Sequence, residues 1–98
     1  MRHNAIGVIE VTYYSNTVAV MDRMLKASNV EIISFHKALG GKMVRGVVSG
    51  ETSAVEAAVD AAENCRELIG SENLKVAVCI GNPHPEIMKL MNMLEATV

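Results

Sequence analysis

"VEIISFHKALGGKMVRGVVSG" occupies residues 30–50, and its two ends share one pattern. Residues 30–37 ("VEIISFHK") and 42–50 ("KMVRGVVSG") are rich in Val, Ile and other strand formers. Between them stand only Ala38, Leu39, Gly40 and Gly41, with Lys42 opening the second run. So short a connection predicts a β-hairpin, with the glycines supplying backbone angles that other residues disfavour.

The flanking elements follow from this hairpin. Residues 5–11 ("AIGVIEV") read as a strand. Ser15 can cap a helix that runs to about Ser28, with Val18, Met21 and Leu25 on its buried face. After the hairpin, Ser53 and Glu56 fit a capping box that opens a second helix. Its apolar stripe is Val55, Ala58, Val59, Ala62, Cys65 and Ile69, and Gly70 is its stop. "KVAVCI" (75–80) is a fourth strand, with Cys79 on the face opposite Val76, Val78 and Ile80. The turn "GNPHP" leads to a last helix from near Pro85, striped by Ile87, Leu90, Met91 and Leu94. The order β-α-β-β-α-β-α predicts an α+β fold of the ferredoxin-like kind. That fold has an antiparallel four-stranded sheet with two helices on one face, here with an added C-terminal helix. Residues 1–98 form one domain, with no linker or internal repeat.

Half of the 98 residues are apolar, yet the aromatics are only Tyr13, Tyr14 and Phe35. A core of Val, Ile, Leu, Met and Ala buries little area per residue. At roughly 25 cal/mol per Å² it is marginal for a lone chain, and oligomerisation is the simplest remedy. A net charge of −2 without a basic stripe argues against nucleic acid as a partner. The start "MRHNAIGVIEVTYY" lacks a signal-peptide run, and no stretch of about 18 apolar residues could span a membrane. Cys65 and Cys79 form neither a metal spacing nor a disulfide framework, so a cytoplasmic location is expected.

Little in the chain predicts chemistry. His3, His36 and His84 lie in different elements, and none is at ligand spacing from another. His84, between Pro83 and Pro85, reads as a turn residue capping the last helix. Cys65 and Cys79 read as buried, inert thiols, and the carboxylates mostly as solvated charges on outer helix faces. The Met-rich stretch "IMKLMNML" reads as core filling, with an adaptable binding groove as the alternative. "ALGGK" is not a nucleotide loop, because Met43 follows Lys42 where a Ser or Thr would hold magnesium, and a strand comes next. No catalytic residue, cofactor or metal is expected, and the chain is not read as an enzyme.

Taken together, several segments are more specific than any one of them: "AIGVIE", "DRMLKASNVEI", the Lys- and Gly-rich hairpin, "VSGETSAVEAAVDAAE" and "NPHPEI". In this order they resemble the single-domain, hexamer-forming shell proteins of bacterial microcompartments, from about residue 5 to residue 85. The resemblance implies a homohexamer that tiles with other shell proteins of the same compartment, in the cytoplasm, around encapsulated enzymes. It implies that Lys26 and Asn29 lie on the hexamer edge, Lys26 meeting the neighbouring hexamer across a two-fold axis. Asn82, Pro83 and His84 would be the other half of that edge; family members often carry an arginine where this chain has Asn82. The resemblance also places the hairpin around a central pore for small metabolites, with Ala38, Leu39, Gly40, Gly41 and Lys42 as candidate lining. The family's usual small polar pore residue is absent, and the loop from Lys37 to Gly50 is one residue longer than usual. Two linings are open: glycine backbone N–H groups with Lys42 nearby, which would favour anions and is the preferred reading, or an apolar constriction of Leu39. The rival reading is a small ferredoxin-like oligomer that binds an effector between subunits.

Overall fold

In a computed structural model of the chain, residues 4–96 are described, and side chains as far as Leu90. The elements are β1 (Ala5–Thr12), α1 (Tyr14–Ala27), β2 (Glu31–Ala38), β3 (Met43–Gly50), α2 (Thr52–Glu63), α3 (Arg66–Ile69), β4 (Leu74–Gly81) and α4 (Pro85–Ala96). Short 3-10 turns at Leu39–Gly41 and Ser71–Asn73 complete the path. The sheet order is β2-β3-β1-β4, and every neighbouring pair is antiparallel. This is the expected ferredoxin-like βαββαβ arrangement with a helix added at its C-terminal side.

Strand alternation divides the sheet into two faces. Ala5, Gly7, Ile9 and Val11 of β1 share a face with Val44, Gly46 and Val48 of β3. That face meets Val20, Met21 and Met24 of α1 and Val55, Ala58, Val59 and Ala62 of α2 in one core. Ala77 and Cys79 of β4 pack against the same core. Val76, Val78 and Ile80 point the other way, opposite Glu10, Val8 and Ile6, as alternation predicts. On that second face α4 returns to β2. Ser34, Val47 and Ser49 are buried there, whereas Val78 and Ile80 at the β4 edge are exposed.

Four local expectations are corrected. The buried face of α1 is Thr17, Val20, Met21 and Met24; Val18 and Leu25 are 46% and 41% exposed. Thr17 is tolerated inside because its hydroxyl donates to the Tyr13 carbonyl oxygen at 3.1 Å. Second, Ser15 does not cap α1. The helix starts at Tyr14, behind Tyr13 at φ 71°, because the Tyr13 N–H is tied to the Lys42 carbonyl oxygen at 2.9 Å. Third, the Ser53–Glu56 capping box does not form. Extended Glu51 is the cap position, Thr52 is already helical, and its hydroxyl donates to Asn4 Oδ1 at 3.3 Å. Fourth, the second helix is broken at Asn64 and Cys65, so Gly70, at φ 92°, ends the short α3 instead. The stripe itself survives the break: Val55, Ala58, Val59, Ala62 and Cys65 are all buried.

The first half of the expected α4 stripe, Ile87 and Leu90, is exposed; the side chains of Met91 and Leu94 lie outside the described ones, as does His3.

Candidate assembly edge and pore loop

The hairpin loop has an unusual backbone. Leu39, Gly40 and Gly41 adopt φ of 53°, 65° and 90° in succession. The turn closes through the Lys42 N–H, which donates to the Leu39 carbonyl oxygen at 3.3 Å. Glycine takes such angles without a steric cost, but leucine does not. Leu39 nevertheless stands at the tip with 74% of its surface exposed. Nothing lies within 4 Å of where a β-carbon on Gly40 or Gly41 would be, so the glycines face open space. Beside the loop is an open cleft of about 390 Å³, lined by Tyr14, Lys37, Ala38, Leu39, Gly40 and Gly41. The Lys37 ammonium lies 5.2 Å from the centre of the Tyr14 ring, which is itself edge-on to Phe35 at 5.8 Å. This cation–π contact holds the Lys37 charge beside the Tyr14 ring in the cleft. Lys42 is exposed at the base of β3.

The residues expected at the assembly edge gather at the other end of the sheet. β1 residue Ala5 pairs with Gly50 of β3 and Gly81 of β4, and Glu31 pairs with Ser49. Asn29, just before β2, and Asn82, just after β4, therefore sit at the end remote from Leu39. Eight strand residues at about 3.3 Å each separate the two ends by roughly 25 Å. Lys26 is exposed in the last turn of α1, where a cation suits the helix dipole, and its ammonium lies 2.9 Å from Asp22 Oδ2. Asn29 is exposed, and Pro83 is half-buried. Asn82 takes φ 48°, a left-handed angle that asparagine adopts more readily than most residues.

His84 caps α4, as its place between two prolines predicts. Its Nδ1 accepts the Glu86 N–H at 3.1 Å, and its carbonyl oxygen accepts the Ile87 N–H at 2.8 Å. Pro85 needs no partner, having no N–H to satisfy.

Asn4 was not singled out from the sequence, yet it joins three elements at this end. Its N–H donates to the Gly50 carbonyl oxygen at 3.1 Å, and its own carbonyl oxygen accepts the Asn82 N–H at 2.6 Å. Its side-chain oxygen accepts the Thr52 hydroxyl. The signal available was an Asn directly before an apolar strand, a common pattern that by itself names no partner.

A second surface was also missed. Val18, Leu25 and Ile32, with Tyr14, Met21, Asp22 and Phe35, line an open groove of about 380 Å³ between α1 and the β2 edge. The helix spacing that suggested burial of Val18 and Leu25 was real, but it describes this outward surface.

Burial pushes the Cys65 thiol above its ordinary value, partly offset by Arg23. Burial does the same for Cys79, with the Glu56 charge adding to it. Both thiols are thus held protonated, which makes them poor nucleophiles. His36 is half-buried in β2 opposite Arg45, with its Nδ1 shut away from solvent and without a hydrogen-bond partner. Among the described residues no cluster of three or more His, Cys, Asp or Glu could hold a metal ion, and no helix is long and apolar enough to cross a membrane.

Comparison with known proteins places these features in a family. The chain is 36% identical over 89 residues to carboxysome shell protein CsoS1A of Hydrogenovibrio crunogenus, covering 91% of each chain. It is 29% identical over 91 residues to bacterial microcompartment shell protein PduA of Citrobacter freundii, covering 93% of this chain and 95% of that one. A crystal structure of a microcompartment protein from Desulfitobacterium hafniense DCB superposes with a TM-score of 0.73 at 22% identity. That likeness covers 94% of this chain but 47% of the other, so this chain spans about half its length and the likeness carries the fold alone. The BMC domain model matches residues 5–83, from the first residue of β1 to the proline after β4, and the chain belongs to the BMC domain family.

Proposed function

We propose that this chain is a structural, non-catalytic subunit of a bacterial microcompartment shell. It forms a cyclic homohexamer, the hexamers tile edge to edge with other shell proteins, and the hairpin loops surround a central pore for small metabolites. The shell would lie in the cytoplasm and enclose enzymes. Lys26, Asn29, Asn82, Pro83 and His84 make the contacts between hexamers, and Ala38, Leu39, Gly40, Gly41 and Lys42 line the pore.

The observation that carries this reading is the placement of those two sets at opposite ends of a thin molecule. The chain measures 33 × 29 × 17 Å, thin in one direction and broad in the other two. A plate with its loop at one end and its lattice residues at the other is the shape of a sector in a ring. The tip meets the axis and the base meets the perimeter.

The exposed apolar surfaces support a ring over a two-fold dimer. The groove at the β2 edge and the exposed Val78 and Ile80 at the β4 edge are different patches on opposite sides of the sheet. A two-fold dimer uses one self-complementary patch, whereas a ring needs two unlike patches. The same groove would be the binding site if the chain were an effector-binding oligomer. Its walls are apolar apart from Asp22 and the Tyr14 hydroxyl, which suits burial against another protein chain better than capture of a polar effector.

Electron microscopy and native mass spectrometry of the purified protein test the proposal. Hexamers and hexagonal sheets are expected; discrete trimers or dimers without lattice contacts would overturn it.

A further inference from the structure

The geometry points to Leu39 as the selectivity-determining residue of the pore, forming an apolar constriction that passes small neutral solutes in preference to hydrated ions. This rests on the hexameric, pore-bearing reading above and adds which residue sets the opening and which class of solute it admits.

Three observations lead there. Leu39 holds a left-handed backbone, at φ 53°, which glycine or asparagine would adopt more cheaply. Its side chain gains little from its own chain in return, being 74% exposed in the loop. A residue that is both strained and unburied within one chain has its use between chains, and outliers of this kind gather at functional sites. Third, the neighbours leave the tip to leucine. Gly40 and Gly41 have no side chains and open space around them, while the Lys37 charge is engaged by the Tyr14 ring. The foremost group at the axis is therefore an isobutyl group.

A ring of such groups offers an ion nothing to replace its hydration shell, and a narrow apolar passage empties of water. Neutral, weakly hydrated molecules lose little on entering it. The lysines further back, Lys37 and Lys42, would rank anions above cations among the charged solutes that do pass.

Leu39→Asn separates polarity from size. Asparagine carries the same number of side-chain heavy atoms, branched at the same atom, and tolerates the left-handed angle. Sheets of the purified protein laid over a solid-state aperture are used to measure ionic conductance in potassium chloride. Leu39→Asn is expected to raise conductance per hexamer about tenfold by wetting the constriction, and Leu39→Met to leave it within about twofold of wild type. Hexameric sheets of Leu39→Asn with conductance within twofold of wild type would overturn this inference alone. A wild-type chain that forms no ring would overturn the hexameric reading and this inference with it.

Discussion

Gly7 and Val55 stand so close that a β-carbon on Gly7 would lie 3.1 Å from Val55 Cγ1. It would also lie 3.1 Å from Val59 Cγ2 and 3.2 Å from Val48 Cγ2. All three neighbours are stiff, β-branched and buried, so none can turn away. Gly7→Ala is expected to cost about 1–3 kcal/mol by overpacking. At Gly46 the obstacle is Met21 Sδ at 2.8 Å, on a side chain that can swing, so Gly46→Ala is expected to cost less. Urea unfolding of the two variants checks the order; equal losses would mean that Met21 is as fixed as the valines.

Gly41 presents the opposite case. A β-carbon there would meet nothing within 4 Å, yet φ is 90°, outside the region that residues with side chains occupy comfortably. Gly41→Ala is expected to lose about 1–3 kcal/mol through backbone strain alone. Gly40, at φ 65°, should accept asparagine with a change of under about 0.5 kcal/mol. Thermal melts of both variants test this, and an unaffected Gly41→Ala would show that the loop relaxes.

Lys26 is exposed, and its pair with Asp22 is a surface ion pair between residues four apart on a helix. Such pairs contribute about 0.3–0.5 kcal/mol. Lys26→Ala should therefore change folding stability hardly at all while abolishing extended sheets. Melting temperature, mass of the oligomer and micrographs of the assemblies are read together. Loss of the hexamer itself would place Lys26 within the ring instead of on its rim.

His84→Ala removes the acceptor of the Glu86 N–H and should weaken the start of α4 by about 0.5–2 kcal/mol, the usual effect of losing a helix cap. His84→Asp supplies another acceptor and should restore most of the loss. Hydrogen exchange at the Glu86 amide reports it directly: several-fold faster in the alanine variant, near wild type in the aspartate variant.

Burial raises the Cys65 pKa in the folded chain above the ordinary value of 9.0. The folded state then holds the proton where the unfolded state has released it. Stability from this source is complete below pH 9.0 and is lost as pH rises through the folded value. Unfolding midpoints between pH 8 and pH 10.5 should fall, and fall less steeply in Cys65→Ala. An unchanged slope would assign the decline to other groups.

How much of this was legible beforehand varied with the kind of signal. Strands were found to within a residue or so, because two-residue alternation and the Gly-Gly turn are strictly local. The strand order follows from the same elements through the ferredoxin-like pattern. The face of α1 was misread because Val18–Met21–Leu25 and Thr17–Val20–Met21–Met24 both satisfy helical spacing. Only the position of the sheet selects the second set, and it buries a threonine whose hydroxyl is satisfied by its own helix. Both cap assignments failed for a related reason. Tyr13 is set by a bond to Lys42 and Thr52 by a bond to Asn4, partners far away in sequence. His84 was read correctly because its cap is local. At the candidate site, the loop and edge residues were proposed through family resemblance. The strained angle of Leu39 and the junction at Asn4 exist only once the chain is folded.

The distance between the two ends of the sheet has an evolutionary consequence. Residues separated by more than about 7–10 Å, with no shared partner, contribute almost independently to stability. Leu39 and Asn82 lie well beyond that range, at opposite ends of paired strands. Mutations at the loop tip can thus accumulate without disturbing the rim. In the proposed lattice, chains that differ only at the tip would keep the same rim, and one sheet would carry openings of several kinds.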